Sequence, residues 1–223
     1  MAINADETST GKGLASRRAA RREATRARSD ERYQQIRDAA VRVFHRNGYS
    51  ATSLEDIATE VGVNRASLYY YVGDKSELLI DILATPLFEM TQNLIDIREL
   101  PLPASERLQL AVRKHMETLD TTYPNLFIFF AENLHLPTVG TERDIAENGH
   151  RYGETFAAII ADGQQSGEFS SAVDPRIAMF GIVGMCNWTF RWFRSEGTMS
   201  LSEIGEQFAR LALRGLAPDA TES

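Results

Sequence analysis

Cysteine is almost absent from this chain, since Cys186 is the single one among 223 residues. One cysteine excludes an internal disulfide and a metal site built from several thiolates, and it is typical of the reducing cytoplasm. No apolar run reaches the length that spans a bilayer. The polar, basic N-terminus has no apolar segment of the kind found in secretory signals. These absences predict a cytoplasmic protein without a membrane partner.

Motifs for catalysis and metal binding are equally scarce. The four histidines lack the close spacing of a zinc motif, and no HExxH, GxSxG or phosphate-binding glycine loop occurs. His135, His150 and Glu132 can meet in space, which leaves a metal site as the alternative to ordinary histidines on helices. We predict no metal, no cofactor and no enzymatic activity.

Strand patterns are missing as well, because no segment alternates apolar and polar residues, and no internal repeat occurs. Apolar residues recur instead at helical spacing along most of the chain. Asp174-Pro175 and the pair Ser200 and Glu203 have the composition of helix starts. The helix after Pro175 is apolar on most sides, so it is predicted to be nearly fully buried. The sequence therefore predicts an all-α fold.

The stretch Thr52–Leu78 predicts two short helices that lead into a longer one. Thr52 and Glu55 have the spacing of a capping box, Gly62 can end the first helix, and Asn64 can cap the second. The apolar residues of the first helix share one face: Leu54, Ile57, Ala58 and Val61. Two short helices joined by a tight turn form the helix-turn-helix that places its second helix in the DNA major groove.

This stretch resembles the DNA-binding domain of the TetR family of bacterial repressors. The similarity runs from about Tyr33 to Leu79, and its motif residues are Gly48, Thr52, Ser53, Leu54, Ile57, Ala58, Gly62, Val63, Leu68, Tyr69, Lys75, Glu77 and Leu78. The resemblance implies an N-terminal three-helix DNA-binding domain and a C-terminal helical domain for ligand binding and dimerisation. It also implies a homodimer whose last two helices from each subunit form a four-helix bundle.

The second helix of the motif is expected to place Ala66 and Leu68 inward and its other side chains outward. Arg65 and Ser67 are the candidate readers of base edges, and Asn64 starts the helix beside them. Thr52, Tyr69, Tyr70 and Lys75 are the candidate phosphate contacts. Consecutive helical residues point about 100° apart, so the three tyrosines cannot all be core residues, and we expect Tyr71 to pack inward.

Charge is divided unevenly along the chain, whose overall net charge is −7. Residues 1–75 contain 13 Lys and Arg against 10 Asp and Glu, a net of +3, so the remainder has a net of −10. The predicted divisions are a disordered basic arm at 1–29, the DNA-binding domain at 30–78 and the second domain at 79–217. Six arginines lie within twelve residues of the arm: Arg17, Arg18, Arg21, Arg22, Arg26 and Arg28. They form either a solvated charge run or a DNA-binding arm.

The second domain is rich in aromatic residues and methionine. Aromatic walls with a few polar groups describe a small-molecule pocket, and a helical core without a cavity is the alternative. The candidate ligand-binding residues are Phe127, Phe130, Arg151, Phe156, Trp188 and Arg191. The stretch Trp188–Gly197 also resembles the TetR subset that responds to acyl-CoA thioesters in fatty-acid and steroid catabolism.

These features predict a homodimeric transcriptional repressor that a small apolar or acyl-CoA-like effector releases from a palindromic double-stranded DNA operator. Two alternatives belong to other classes. One is a helix-turn-helix activator or nucleoid-associated protein without a ligand. The other is a helical enzyme or small-molecule carrier whose DNA-binding head is vestigial.

Overall fold

The computed structural model describes residues 7–122, 126–127 and 141–218, with side chains from residue 21 onward except at 141 and 142. Every regular element in these residues is helical, which confirms the predicted all-α class. The helices are α1 (Glu7–Asn47), α2 (Leu54–Val61), α3 (Arg65–Tyr69), α4 (Lys75–Glu99), α5 (Ala104–Thr121), α6 (Thr141–Gln165), α7 (Pro175–Asn187) and α8 (Leu201–Gly215). A 3₁₀ helix, Trp188–Arg191, follows α7 directly.

The helices fall into two compact units. The first contains α1, α2 and α3, and the second contains nearly all of α4 together with α5 to α8. The division follows Lys75, the first residue of α4, whereas the sequence predicted a boundary after residue 78. One continuous helix therefore begins in the first unit and runs into the second.

α1 supplies most of the core of the first unit. Its buried residues recur at helical spacing and share one face of the helix: Ile36, Ala39, Ala40, Val43 and Phe44, each at most 1% exposed. The helix begins at Glu7 and not at Asp30, so residues 7–29 are helical where a disordered arm was predicted. The segment is rich in Ala and Arg, which are strong helix formers. No proline precedes Pro86 to interrupt it.

Capping residues define both ends of α2 and the start of α3. The capping box of α2 is formed by Ser53 and Asp56, one residue later than predicted, because Thr52 is buried at 3% exposure. Gly62 ends α2 at φ 75°, a left-handed conformation that glycine adopts without a steric penalty. The Asn64 side chain accepts a hydrogen bond from the Ser67 N–H at 2.7 Å and so caps α3, as predicted.

In the second unit α5 packs against α8 and α6, and α6 packs against α7. The contact of α5 with α8 is close at Gly205, where an added Cβ would lie 3.1 Å from the Met116 side chain. Ser200 with Glu203 caps α8, and Asp174 caps α7, both as predicted. The α5 N-terminus is capped from a distant part of the chain. There the Glu168 carboxylate accepts hydrogen bonds from the backbone N–H groups of Ala104 and Ser105, at 2.9 and 3.0 Å.

α4 continues through Pro86 to Glu99 without a break. It is the one helix among the described residues whose length and hydropathy would allow it to cross a membrane. Half of its most apolar 18-residue stretch is buried inside the protein.

The helix after Pro175 is not fully buried, contrary to the prediction. α7 buries Met179, Ile182 and Cys186, while Ile177 and Phe180 are 64% and 66% exposed. On α8, Leu211 is 59% exposed. The described part of the chain therefore leaves apolar side chains of both α7 and α8 uncovered.

Candidate nucleic-acid interface and ligand cavity

α3 exposes most of its side chains. Arg65, Ser67 and Tyr69 lie on the solvent side, and Tyr70, which follows the helix, is 83% exposed. Leu68 is fully buried beneath them, whereas Ala66 is exposed, contrary to the prediction, because a helix of five residues has room for little inward surface. Side chains at the start of such a helix reach base edges in the major groove.

Neighbouring side chains hold the Arg65 guanidinium on this surface. Its Nη2 donates to the Tyr69 hydroxyl at 3.2 Å, and its Nη1 lies 3.7 Å from Glu55 Oε2. The hydrogen bond with Tyr69, and then the charge of Glu55, raise the pKa of Arg65. Exposed contacts of this kind are weak, so they can be exchanged for base or phosphate contacts on DNA.

Two of the predicted phosphate contacts lie elsewhere than expected. Thr52 is buried, so its side chain does not face solvent. Lys75 is half-buried, and its Nζ donates to the Thr52 carbonyl oxygen at 2.9 Å. These two residues tie the start of α4 to the segment before α2. Tyr69 and Tyr70 are exposed, while Tyr71 is half-buried, in agreement with the prediction for the three tyrosines.

A polar groove of about 590 Å³ connects α1 to the residues after α3. It is lined by Thr25, Arg28, Ser29, Glu31, Arg32, Gln35, Tyr70 and Tyr71. Guanidinium and hydroxyl donors are the usual partners of phosphate oxygens. Arg28 of the basic arm and the two tyrosines lie far apart in the sequence, and only the tertiary structure places them around one groove.

The second unit contains a cavity of about 300 Å³ between four helices. It is lined by Leu87, Met90 and Thr91 of α4, His115 of α5, Ile145, Ala146, Asn148, Gly149 and Tyr152 of α6, and Val183 and Asn187 of α7. Mostly apolar walls with a few polar groups are typical of small-molecule sites. A larger open groove, of about 370 Å³, lies between residues 192–199 and α8, and α4 does not line it.

His115 lies at the centre of the polar groups in the cavity. Its Nδ1 is 2.8 Å from the Tyr152 hydroxyl, and its Nε2 is 2.9 Å from Asn187 Oδ1. Burial lowers the pKa of His115 to about 4, although the hydrogen bond to Asn187 acts in the opposite direction. Burial also raises the pKa of Tyr152. The whole cluster is therefore uncharged at neutral pH.

α4 is joined to α6 at the edge of this cavity. Asn148 Nδ2 donates to the Leu87 carbonyl oxygen at 3.0 Å, and the Thr91 hydroxyl donates to the same oxygen at 3.2 Å. Asn148 and Thr91 are both buried. A ligand that enters the cavity meets these groups and so contacts the helix that begins at Lys75.

None of the candidate ligand-binding residues that the structure describes lines this cavity. Phe156 is buried beside Tyr152, with ring centres 6.1 Å apart, and Phe127 is buried against Phe193. Phe130 lies outside the described residues. Arg151, Trp188 and Arg191 are exposed.

The polar residues that line the cavity were missed in the sequence. Their only signal is a polar side chain on an apolar helix face, and this pattern alone does not indicate a binding site. His115 does show that signal, since it shares its face with Leu108, Val112 and Leu119. No group of three acidic, His or Cys side chains that could hold a metal occurs among the described residues. His135 and Glu132, considered for a metal site, lie outside them.

Comparison with known proteins decides the family. Residues 101–216 match the family described as "Tetracyclin repressor-like, C-terminal domain", and residues 36–82 match "Bacterial regulatory proteins, tetR family". The chain belongs to the TetR family. It is accordingly a soluble DNA-binding transcriptional repressor with a helix-turn-helix domain and a helical ligand-binding domain, and not an enzyme.

Several relatives align over most of their length. The Fatty acid metabolism regulator protein of Bacillus subtilis is 28% identical over 83% of this chain and 95% of its own. The transcriptional repressor KstR2 of Rhodococcus jostii is 26% identical over 82% of this chain and 90% of its own. The crystal structure of FadR from B. subtilis in complex with stearoyl-CoA superposes on this chain with a TM-score of 0.65 at 27% sequence identity. The superposition covers 82% of this chain and 99% of the FadR chain.

Proposed function

We propose that this TetR-family repressor is released from its operator by an effector that binds in the cavity between α4, α5, α6 and α7. The observation that carries the proposal is the position of α4. Its residues Leu87, Met90 and Thr91 line the cavity, and its first residue, Lys75, bonds to Thr52 ahead of the helix-turn-helix. A change of the cavity is therefore connected to the DNA-binding unit through one helix.

Release requires that the effector bind more tightly to the arrangement of α4 that does not fit DNA. The Leu87 carbonyl is the point where such a preference can arise. The buried side chains of Asn148 on α6 and Thr91 on α4 both donate to this oxygen, so it is the point where α6 is hydrogen-bonded to α4. A ligand that displaces the Asn148 amide frees α4 to shift along its contact with α6.

An acyl-CoA-like thioester is the effector class that we favour. The cavity walls suit an acyl chain, and exposed arginines on the adjoining elements, Arg151 and Arg191, suit phosphate groups. The Arg191 guanidinium lies 5.8 Å from the centre of the Trp188 ring, so these two nominated residues are neighbours at the surface. The related B. subtilis structure contains stearoyl-CoA.

The DNA partner follows from the first unit. Arg65 and Ser67 read base edges, while Tyr69, Tyr70 and the groove beside α1 contact phosphates. A homodimer would place two such units on the half-sites of a palindromic operator. A repressor of this kind acts in the cytoplasm.

Operator release tests the proposal. An operator fragment selected from a DNA library is bound to the protein, and its fluorescence anisotropy is followed as a long-chain acyl-CoA, the free acid or an aromatic amphiphile is added. We expect the acyl-CoA to release the DNA at the lowest concentration. If none of the three changes operator affinity, the ligand-responsive mechanism is wrong and the activator or nucleoid-protein alternative gains support.

A substitution in the cavity tests whether the effector that releases the operator binds there. Val183→Phe fills part of the cavity and should leave operator affinity unchanged while weakening the effector at least ten-fold. Val173→Phe, at a half-buried valine outside the cavity, is the matched control. Equal effector responses of both variants would place the effector elsewhere, for example in the groove beside α8.

A further inference from the structure

The described lining of the cavity contains no acidic or cationic side chain at neutral pH. Its polar atoms come from Tyr152, His115, Asn187, Asn148 and Thr91, and His115 is neutral because burial lowers its pKa to about 4. A carboxylate or phosphate would lose its hydration there without a counter-ion, which is very unfavourable. The cavity therefore accepts an uncharged part of its ligand.

Asn187 determines which nitrogen of the His115 ring carries the proton. Because Asn187 Oδ1 only accepts, His115 Nε2 donates to it, and His115 Nδ1 accepts from the Tyr152 hydroxyl. The relay Tyr152–His115–Asn187 thus uses the oxygen of the Asn187 amide. The NH₂ group of the same amide takes no part in this relay, and Asn187 lines the cavity. The amide therefore has donors left for a ligand in the cavity.

We infer that the Asn187 amide donates a hydrogen bond to the thioester carbonyl oxygen of a bound acyl-CoA, and that His115 and Tyr152 are positioning residues that hold this amide. The inference rests on the proposed function and adds the group of the ligand that the cavity recognises. Recognition of this carbonyl selects the thioester over its free acid, whose carboxylate would have to enter an uncharged site.

The position of Asn187 supports the thioester as the bound group. Asn187 is the last residue of α7, and the 3₁₀ helix that follows it carries the exposed Trp188 and Arg191. A carbonyl at Asn187 leaves the acyl chain against the apolar walls of the cavity, at Met90 and Val183. The charged part of the coenzyme then remains outside, on the side of Arg191.

Two ligands that differ only at the thioester carbonyl test the proposed hydrogen bond from Asn187. An S-alkyl-CoA of the same chain length keeps the chain, the sulfur and the nucleotide of the acyl-CoA but has a methylene in place of the carbonyl. By calorimetry, the unaltered protein should bind the thioester about three to ten times more tightly, the usual effect of one net hydrogen bond. Asn187→Leu should bind both ligands equally, close to the affinity of the unaltered protein for the thioether.

Further variants separate recognition from folding. Tyr152→Phe keeps the ring and removes the hydroxyl that holds His115, so it should reduce the thioester-to-thioether ratio without lowering the melting temperature by more than a few degrees. Asn93→Leu makes the same replacement on α4 outside the cavity and should keep the ratio of the unaltered protein.

The possible results separate a failure of the inference about Asn187 from a failure of the proposed acyl-CoA effector. Equal binding of both ligands by the unaltered protein would overturn the role of Asn187 and leave the proposed effector intact. An unchanged ratio in Tyr152→Phe would overturn the positioning role of the relay. If neither CoA ligand binds, the proposed acyl-CoA effector is wrong, and the inference fails with it.

Discussion

At the level of single residues, the exposed side chains of α3 and the buried polar side chains of the cavity lie in opposite environments. Arg65 is exposed and weakly held, so it is available for new partners on DNA. His115 is 2% exposed and hydrogen-bonded at both ring nitrogens, so it keeps one neutral arrangement. The exposure or burial of these side chains, more than their residue type, is the reason for assigning them to DNA contact or ligand contact in the proposed function.

Arg65→Ala should relax the sequence preference at one base pair in each half-site. A bidentate arginine–guanine contact contributes about 1–3 kcal/mol of discrimination, whereas phosphate contacts add affinity for all sequences alike. Binding selection on a randomised operator library measures the preference position by position. Arg210→Ala, at an exposed arginine of α8, is the control. A binding profile that is identical for both variants would exclude Arg65 as a base reader.

Stability should fall as the pH is lowered from about 6.5 to about 4, partly because of His115. Its folded pKa of about 4 is below the ordinary value of 6.5, so in this range the unfolded chain binds a proton that the folded protein does not. The stability that depends on neutral His115 is complete above pH 6.5 and is lost as the pH falls, by up to about 3 kcal/mol.

Urea denaturation of His115→Gln measures this contribution. The variant is less stable than the unaltered protein at pH 7, but its unfolding free energy should decrease less between pH 6.5 and 4. His150→Gln, at an exposed histidine that pairs with Glu154, should keep the slope of the unaltered protein. Parallel pH profiles for all three proteins would show that His115 is not responsible.

At the level of elements, α1 is longer than the part of it that packs in the core. Its buried stripe begins at Ile36, and the described side chains from Arg21 to Arg28 are exposed. The N-terminal part of α1 therefore contributes little to the core. Its visible connection to function is the groove with Arg28, Arg32 and Tyr70.

A chain that begins at Asp30 should fold and dimerise but bind operator DNA less tightly. It keeps the buried stripe of α1 and lacks six arginines of the full chain. The slope of log K against log salt should become shallower, by about 0.9 for each phosphate that the protein no longer neutralises. Replacement of Arg28 and Arg32 by Gln in the full chain tests the groove separately. Equal slopes for the full and shortened chains would make the segment a solvated helix without a role in DNA binding.

At the scale of the whole molecule, the exposed apolar sides of α7 and α8 need a partner surface. Ile177, Phe180 and Leu211 are each more than half exposed. Apolar patches of this kind mark interaction sites, and the family resemblance assigns the last two helices to the dimer. A second copy of the chain is therefore the partner that we expect there.

Phe180→Glu should convert the dimer into a folded monomer and weaken operator binding at least 100-fold, because one subunit contacts a single half-site. Sedimentation equilibrium measures the mass, and circular dichroism checks the helical content. Phe88→Glu, at a phenylalanine of α4 that is 41% exposed, should remain dimeric. A Phe180→Glu protein that stays dimeric would place the interface on another surface.

Features that depend on neighbours along the chain could be predicted from the amino-acid sequence. The helical class, the ends of helices at Gly62, Asn64, Asp174 and Ser200, and the buried stripe of α1 were all readable, because caps and periodicity act over a few residues. The start of α2 was wrong by one residue, since burial of Thr52 decides between two adjacent hydroxyl side chains. The helical residues before Asp30 were missed because their propensity, not their burial, produces a helix.

The cavity of the second unit and its hydrogen-bonded residues could not be predicted in this way, because they depend on tertiary contacts. His115 lies 37 residues from Tyr152 and 72 from Asn187, yet all three meet in one hydrogen-bonded relay. Glu168 caps a helix that begins 64 residues earlier. The exposed side of α7 likewise depends on which faces α5 and α6 leave uncovered. Such contacts arise from the packing of distant helices, and a local pattern contains no information on which polar residues will share a cavity.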